Sequence, residues 1–291
     1  CEGKYLLALN RNFQLSEAME AALRGENAEQ EMEMNGRHYR CVASPVKDEG
    51  RVSGAVMLIP DVTDRFLAEK ARREFTANVS HELKTPLQSI IGSAELIENG
   101  MVKPEDLPRF VGHIRSEAAR LVALIEDIIR LSQLDEGEPM PTEPVSLYTL
   151  TQDVLLALRD AAAAKDVKLS VSGDDGMMNG VRRLLYEIIY NLCDNAIRYN
   201  VDGGSVEVQI ADAPEQVTLT VADTGIGIPP EHQARVFERF YRVDKSHSRK
   251  SGGTGLGLSI VKHAVRLHHG KIDLQSNVDQ GTRITVTLPK G

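Results

Sequence analysis

Tryptophan is absent from the 291 residues, and aromatic side chains make up only 4% of them. That leaves an aliphatic interior of the kind helix-rich proteins build. Cysteine is scarce as well. Cys1, Cys41 and Cys193 lie far apart, form no CxxC pair and show no metal-ligand spacing. A disulfide framework and a zinc cluster are thereby disfavoured, and reduced cysteines of a cytosolic protein are expected. No apolar run approaches the roughly 18 residues of a membrane span, and no signal peptide is visible. A net charge of -8 lacks the basic face that non-specific nucleic-acid binding requires. Charged residues at 26% and apolar residues at 42% exclude wholesale disorder, and the length leaves room for two or three domains. The chain starts with Cys rather than Met, so a fragment is expected, with any membrane anchor lying upstream.

The pattern along the chain changes near residue 62. Before it, "LSEAMEAALRGE" reads as a helix closed by Gly25, and "EQEMEMNGRHYRCVASPV" as a hairpin turning at Asn35-Gly36. "RVSGAVMLIPDV" reads as a further strand. From Arg65 to Glu98 the apolar residues Phe75, Val79, Leu83, Ile90, Ala94 and Ile97 recur at helical spacing. Asn99-Gly100 ends that helix, and Pro104, Glu105 and Asp106 open another. Its stripe is Leu107, Val111, Ile114, Ala118, Leu121, Ile125 and Ile128, running on to about Leu134. Two antiparallel helices cannot bury one-sided stripes alone, so a dimeric four-helix bundle with two helices per chain is predicted.

"DEGEPMPTEP" breaks the pattern and reads as a linker over 137–144. Beyond it come a helix near 148–164, a strand near 167–172 and a helix from about 181 to 199. The strands "SVEVQIA" and "QVTLTVAD", a Gly-rich helix start near 254, and the strands "KIDLQSN" and "TRITVTLP" follow. Short alternating strands with helices between them imply an antiparallel sheet covered on one face, an α+β sandwich.

Four stretches carry chemistry. In "NVSHELKTPL" a helical wheel puts His81 opposite the apolar stripe, facing solvent beside Asn78, Thr85 and Gln88. A solvated polar face accounts for that. So does a nucleophile: Glu82 can bond one ring nitrogen and sharpen the other, Thr85 can orient a water, and Pro86 frees the carbonyl of Glu82 and lets the helix bend. In "EIIYNLCDNAIRYN", Glu187, Asn191 and Asn195 share a face while Ile188, Ile189, Leu192 and Ala196 face the core. Such an amide stripe serves either a polar network with the sheet or a magnesium-nucleotide face, with Asn195 supplying an oxygen to a hard cation. In "DTGIGIPP", Asp223 ends a strand before Gly225 and Gly227, where a carboxylate can accept from an exocyclic amine such as adenine's. In "GGTGLGLSIVKHAV", Gly252, Gly253, Gly255 and Gly257 lead into a helix whose amino end suits phosphate. The P-loop ending and the Rossmann spacing are both missing. Between the last two lies "FERFYRVDKSHSRKSGG", with Arg239, Arg242, Lys245, Arg249 and Lys250. It serves as a solvated loop or as a lid whose cations meet a triphosphate.

His81-Glu82-Leu83-Lys84-Thr85-Pro86, the Asn191/Asn195 helix, Asp223-Thr-Gly-Ile-Gly, Phe237-Glu-Arg-Phe and Gly253-Thr-Gly-Leu-Gly-Leu stand in the order of the H, N, G1, F and G2 boxes of sensor histidine kinases. The chain resembles that family over about residues 62 to 289. The resemblance implies a dimerisation and phosphotransfer hairpin over 63–136 and an ATP-binding domain of the Bergerat type over 145–291. It makes His81 the phosphoacceptor, Glu82 its base and Thr85 the residue that positions water for dephosphorylation. It places ATP against Asn191, Asn195, Arg198, Tyr199, Asp223, Gly225, Gly227, Lys245, Gly253, Gly255, Leu256, Gly257 and Thr282, with Mg²⁺ on Asn195. Arg198-Tyr199 replaces the family's usual Lys-Tyr and keeps the charge. Residues 1–62 resemble the last part of a PAS sensor domain, "DVTD" leading into the signalling helix; no haem or flavin ligand follows, and His38 and Cys41 are read as ordinary strand residues. The implied partners are a second copy and a response regulator, and the implied place is the cytoplasmic side of a membrane-anchored protein.

Two alternatives belong to other classes. A chaperone- or topoisomerase-type ATPase shares the pocket but lacks a histidine box on a two-helix hairpin. A non-catalytic dimeric scaffold has no need of Asn195, Asp223 and the glycines.

Overall fold

The computed structural model of the chain describes residues 13–136, 140–243 and 253–290. The chain divides into two compact units, residues 1–78 and 79–291.

In the first unit, helix α1 (Phe13–Leu23) covers a three-stranded antiparallel sheet of β1 (Ala28–Met34), β2 (Arg37–Asp48) and β3 (Arg51–Leu58). Asn35 and Gly36 both take positive φ, the geometry of the two-residue hairpin turn predicted there. Leu15, Ala18 and Ala22 of α1 form a small core with Met32, Cys41 and Ala43. Burial pushes the Cys41 thiol up, which keeps it protonated as a core residue. The His38 ring stacks on Phe66 at 3.7 Å. Asp61 accepts hydrogen bonds from the amide and hydroxyl of Thr63, fixing the start of α2 (Thr63–Glu98).

The second unit contains the C-terminal part of α2 and the antiparallel helix α3 (Leu107–Glu136), joined through a 3₁₀ turn at Pro104–Asp106. Two cross-helix contacts fix the register. Ser89 Oγ lies 2.9 Å from His113 Nε2, and one heptad away in opposite directions Glu82 meets Arg120 at 3.7 Å. α2 runs on through Pro86, whose ring is buried. In the single chain Leu107, Val111 and Ile125 of the predicted α3 stripe are exposed, and Leu124, Leu131 and Leu134 are buried. α3 also packs against the α/β layer.

That layer is a five-stranded sheet in the order β5-β7-β8-β10-β9, made of β5 (Lys168–Gly173), β7 (Ser205–Asp212), β8 (Gln216–Asp223), β9 (Lys271–Asn277) and β10 (Gly281–Pro289). Helices α4 (Leu147–Ala157), α6 (Arg182–Arg198) and α8 (Gly257–Leu267) accompany it. Leu150, Val154, Ile188, Ile189, Ile260 and Val265 from the helices are buried, as are Val206, Val208, Val221 and Val286 from the strands. Each such side chain contributes about 1.5–3 kcal/mol by leaving water. Three expectations are corrected. The sheet is not wholly antiparallel, because β5 and β7 pair parallel, as the crossover through α6 requires. The helix expected over 148–164 is interrupted at Leu158 and resumes as α5 (Arg159–Ala163). The linker ends inside a strand: β4 (Glu143–Ser146) pairs with β6 (Met177–Gly180), and four residues are too few to show a period. A short helix α7 (Pro230–Gln233) follows β8.

Candidate functional site

α6 presents its amides as the wheel predicted. Ile188, Ile189, Leu192 and Ala196 are buried, and Asn191 and Asn195 line a cavity of about 1640 Å³. Asn191 Nδ2 donates to the carbonyl of Glu187 at 2.8 Å, which aims its oxygen outward. Glu187 itself is buried, and its Oε1 is 3.3 Å from Arg183 and 3.8 Å from Arg130. Arg198 reaches back one turn to Asp194 at 2.9 Å. Tyr199 closes the helix, and its carbonyl accepts from the Ile226 amide at 3.1 Å.

Asp223, the last residue of β8, lies against the same cavity. Its Oδ1 accepts from the amide of Gly225 at 2.8 Å and from that of Thr282 at 3.1 Å. Burial nevertheless pushes its carboxyl up, with the two amides pulling the other way. Gly227 takes a positive φ of 68°, and a Cβ there would strike the carbonyl of Asn277, so the turn carries no side chain at that point. Thr282 Oγ1 bonds Ser276 Oγ at 2.9 Å, which ties β9 to the pocket.

Gly253, Gly255 and Gly257 line the same cavity. A Cβ on Gly257 would lie 2.7 Å from Asn191 Oδ1, so the amino end of α8 meets the α6 amides directly. Leu256 is fully buried and caps α8 rather than facing the cavity. Lys245, with Arg249, Lys250 and Gly252, lies outside the described residues. Gly225 does not line the cavity; it shapes the turn, since a Cβ there would strike the Tyr199 carbonyl.

The histidine box sits on α2. His81 is exposed, as the wheel required. Thr85 Oγ1 donates to the His81 carbonyl at 3.1 Å. Glu82, expected beside the imidazole, is placed differently. Its carboxylate lies 3.7 Å from Arg120 and 3.7 Å from Arg242, because the two guanidinium charges draw it toward them. Arg242 lines the cavity as well, so one residue meets both the cavity and the helix that carries His81.

Several residues escaped the sequence. Asp127 and Arg130 look like part of a solvated helix face, yet they line the cavity. Lys165 Nζ donates to the carbonyls of Arg198 at 2.6 Å and Asn200 at 2.9 Å, closing the carboxyl end of α6. Its only signal is a lysine ahead of a strand. Cavity-lining oxygen donors on Asn191, Asn195 and Glu187 suit a hard cation, and the Gly-rich amino end of α8 suits phosphate.

Comparison with known proteins agrees with this geometry. Residues 71–137 match the His Kinase A (phospho-acceptor) domain, and residues 180–291 match the Histidine kinase-, DNA gyrase B-, and HSP90-like ATPase family. The Staphylococcus aureus sensor protein kinase WalK is 35% identical over 255 residues, covering 84% of this chain and 60% of that protein. In the strain JH9 relative the covered share is 41%, so the chain spans about half the length of the curated relatives it matches. Among solved structures, full-length ShkA in complex with AMPPNP is 26% identical, with a TM-score of 0.56 over 74% of this chain and 45% of that one. Histidine kinase ThkA in complex with response regulator protein TrrA shares the fold at 21% identity, with a TM-score of 0.61 over 99% of this chain and 86% of that one. With a phospho-acceptor domain and an ATPase-type domain matched in that order, and 35% identity over 84% of its length, the chain belongs to the sensor histidine kinase family.

Proposed function

We propose that the chain is an ATP-dependent protein-histidine kinase that phosphorylates His81 and passes the phosphoryl group to an aspartate of a response regulator. The observation that carries this reading is a single cavity lined by Asp223, which two backbone amides fix, and by Asn191 and Gly257, which meet there. Asp223 accepts from the adenine amine. The amino end of α8 and the amides of Asn191 and Asn195 hold the phosphates. Asn195 would offer an oxygen to Mg²⁺, which when bound would supply neutralisation of the phosphate charge.

An imidazole nitrogen of His81 attacks the γ-phosphorus. The bond to the bridging oxygen breaks, ADP leaves, and the imidazole proton passes to Glu82. For that role Glu82 must leave Arg242, which makes the Glu82–Arg242 pair the mark of a resting arrangement. The same phosphoryl group then moves to a carboxylate oxygen of the regulator and regenerates His81. Thr85, one turn from His81, serves the reverse job of orienting water for dephosphorylation.

The exposed apolar residues Leu87, Ile91, Val111, Val122, Ile125 and Ile129 support a homodimer through the hairpin, since a single copy leaves them in water. Residues before 63 act as a PAS-like input segment, supported by one helix on three antiparallel strands. Among the described residues no helix is long and apolar enough to cross a membrane. The test is transfer. Labelled, phosphorylated chain is mixed with purified receiver domains, and label moving onto one receiver's aspartate within seconds is expected. Label that never leaves the chain for any receiver contradicts the transfer step. Mg-dependent ATP binding by the same preparation rules out the scaffold alternative.

A further inference from the structure

The cavity is walled in part by a helix from outside the α/β layer. α3 packs against α8 and brings Asp127 and Arg130 to the cavity lining. Asp127 Oδ2 accepts from the Thr254 hydroxyl at 2.8 Å, and that hydroxyl oxygen accepts from the Leu256 amide at 3.3 Å. Leu256 is the cap of α8. A carboxylate is thus tied, through one hydroxyl, to the positive end of an eleven-residue helix. It stands beside Gly253 and Gly255, the wall assigned above to phosphate. One turn along α3, Arg130 lies 3.8 Å from Glu187 Oε1. Glu187 is more than nine-tenths buried, and its Oε2 has no hydrogen-bond partner among the described residues.

The contact is half-buried. Burial pushes the Asp127 carboxyl up although Thr254 and Arg130 both favour its charged form. A triphosphate would bring several negative charges to a place already holding a half-buried one, where like charges repel far more strongly than in water.

We propose that Asp127 is a further residue of the nucleotide site, one that competes with ATP. Its carboxylate holds Thr254 and the amino end of α8 where phosphate would otherwise dominate, so the two anions exclude each other. Arg130 reinforces the arrangement by occupying Glu187. Mg-ATP then binds more tightly whenever α3 withdraws from α8, and movement within the helical hairpin sets nucleotide affinity. This inference rests on the ATP-site reading.

The experiment is calorimetric titration of the intact chain with Mg-ATP and, separately, with uncharged adenosine. Asp127→Asn keeps an oxygen for Thr254 and removes the charge; Asp127→Ala removes both and guards against an effect peculiar to the amide. Both variants are expected to bind Mg-ATP about tenfold more tightly, with adenosine affinity unchanged. Unchanged or weaker Mg-ATP binding in both variants, with adenosine bound as before, overturns the proposal and leaves the ATP site standing. Equal tightening for both ligands also overturns it, since that would be opening of space rather than relief of charge. An intact chain that binds neither ligand removes the ATP-site reading, and this inference with it.

Discussion

The backbone amide of Thr282 donates to Asp223 Oδ1 at 3.1 Å, across the paired ends of β8 and β10. One carboxylate oxygen therefore belongs to the fold, which leaves Oδ2 for a ligand. Asp223→Asn keeps the fold-facing acceptor and loses the negative charge, whereas Asp223→Ala strands two amides at a cost of about 1–3 kcal/mol. The Asn variant is expected to melt close to the parent, bind ATP at least about tenfold more weakly and bind GTP no better, by titration and thermal unfolding.

The raised carboxyl of Asp223 gives this a pH signature. Because folding disfavours its charged form, the group subtracts from stability at neutral pH, and that penalty disappears as pH falls through the raised value. Adenine recognition needs the carboxylate, so ATP affinity falls over the same acid range. In Asp223→Asn this contribution is absent, and the drop in affinity below neutrality is expected to be smaller. Titrations at several pH values check the difference.

Gly257 leaves no room for a side chain beside Asn191 Oδ1. Gly257→Ala places a methyl group against the amide and pushes α8 from α6. Loss of Mg-ATP affinity by about tenfold or more, with unchanged circular dichroism, is the expected result.

Glu82 supplies the base in the proposed transfer. Glu82→Gln keeps the helix and loses the proton acceptor, so single-turnover phosphorylation should slow about a hundredfold or more while ATP affinity holds. Quench-flow with labelled ATP measures the first and titration the second.

Lys165 fastens the carboxyl end of α6 through the carbonyls of Arg198 and Asn200. Lys165→Met keeps the stem but loses the ammonium. We expect a loss of roughly 1–2 kcal/mol in denaturant unfolding and a raised KM for ATP, with Lys165→Arg restoring part of both.

Much of this was legible in the chain itself. Asn35-Gly36 announced a hairpin because few dipeptides tolerate two positive φ values, and the α6 wheel separated amides from core because 17 residues carry several turns of period. The exposure of His81 followed from the same periodicity. What remained hidden is tertiary. Nothing local marks Asp127 or Arg130, on a helix face rich in charge, as cavity residues, because it is α8, distant in sequence, that covers them. Glu82 was assigned to its neighbour His81, whereas the fold delivers Arg120 and Arg242 to it. β4 and β6 are too short to show alternation, and the parallel β5–β7 pair depends on a crossover that strand patterns do not display.

The central claim is most directly tested by locating the phosphoryl group. The intact chain is incubated with Mg²⁺ and γ-labelled ATP, and the product is treated with acid and with alkali and mapped by mass spectrometry. A label that is acid-labile and alkali-stable, sits on His81 and is missing from His81→Ala is predicted. Label of unchanged amount in His81→Ala, or label confined to serine or threonine, would contradict the account.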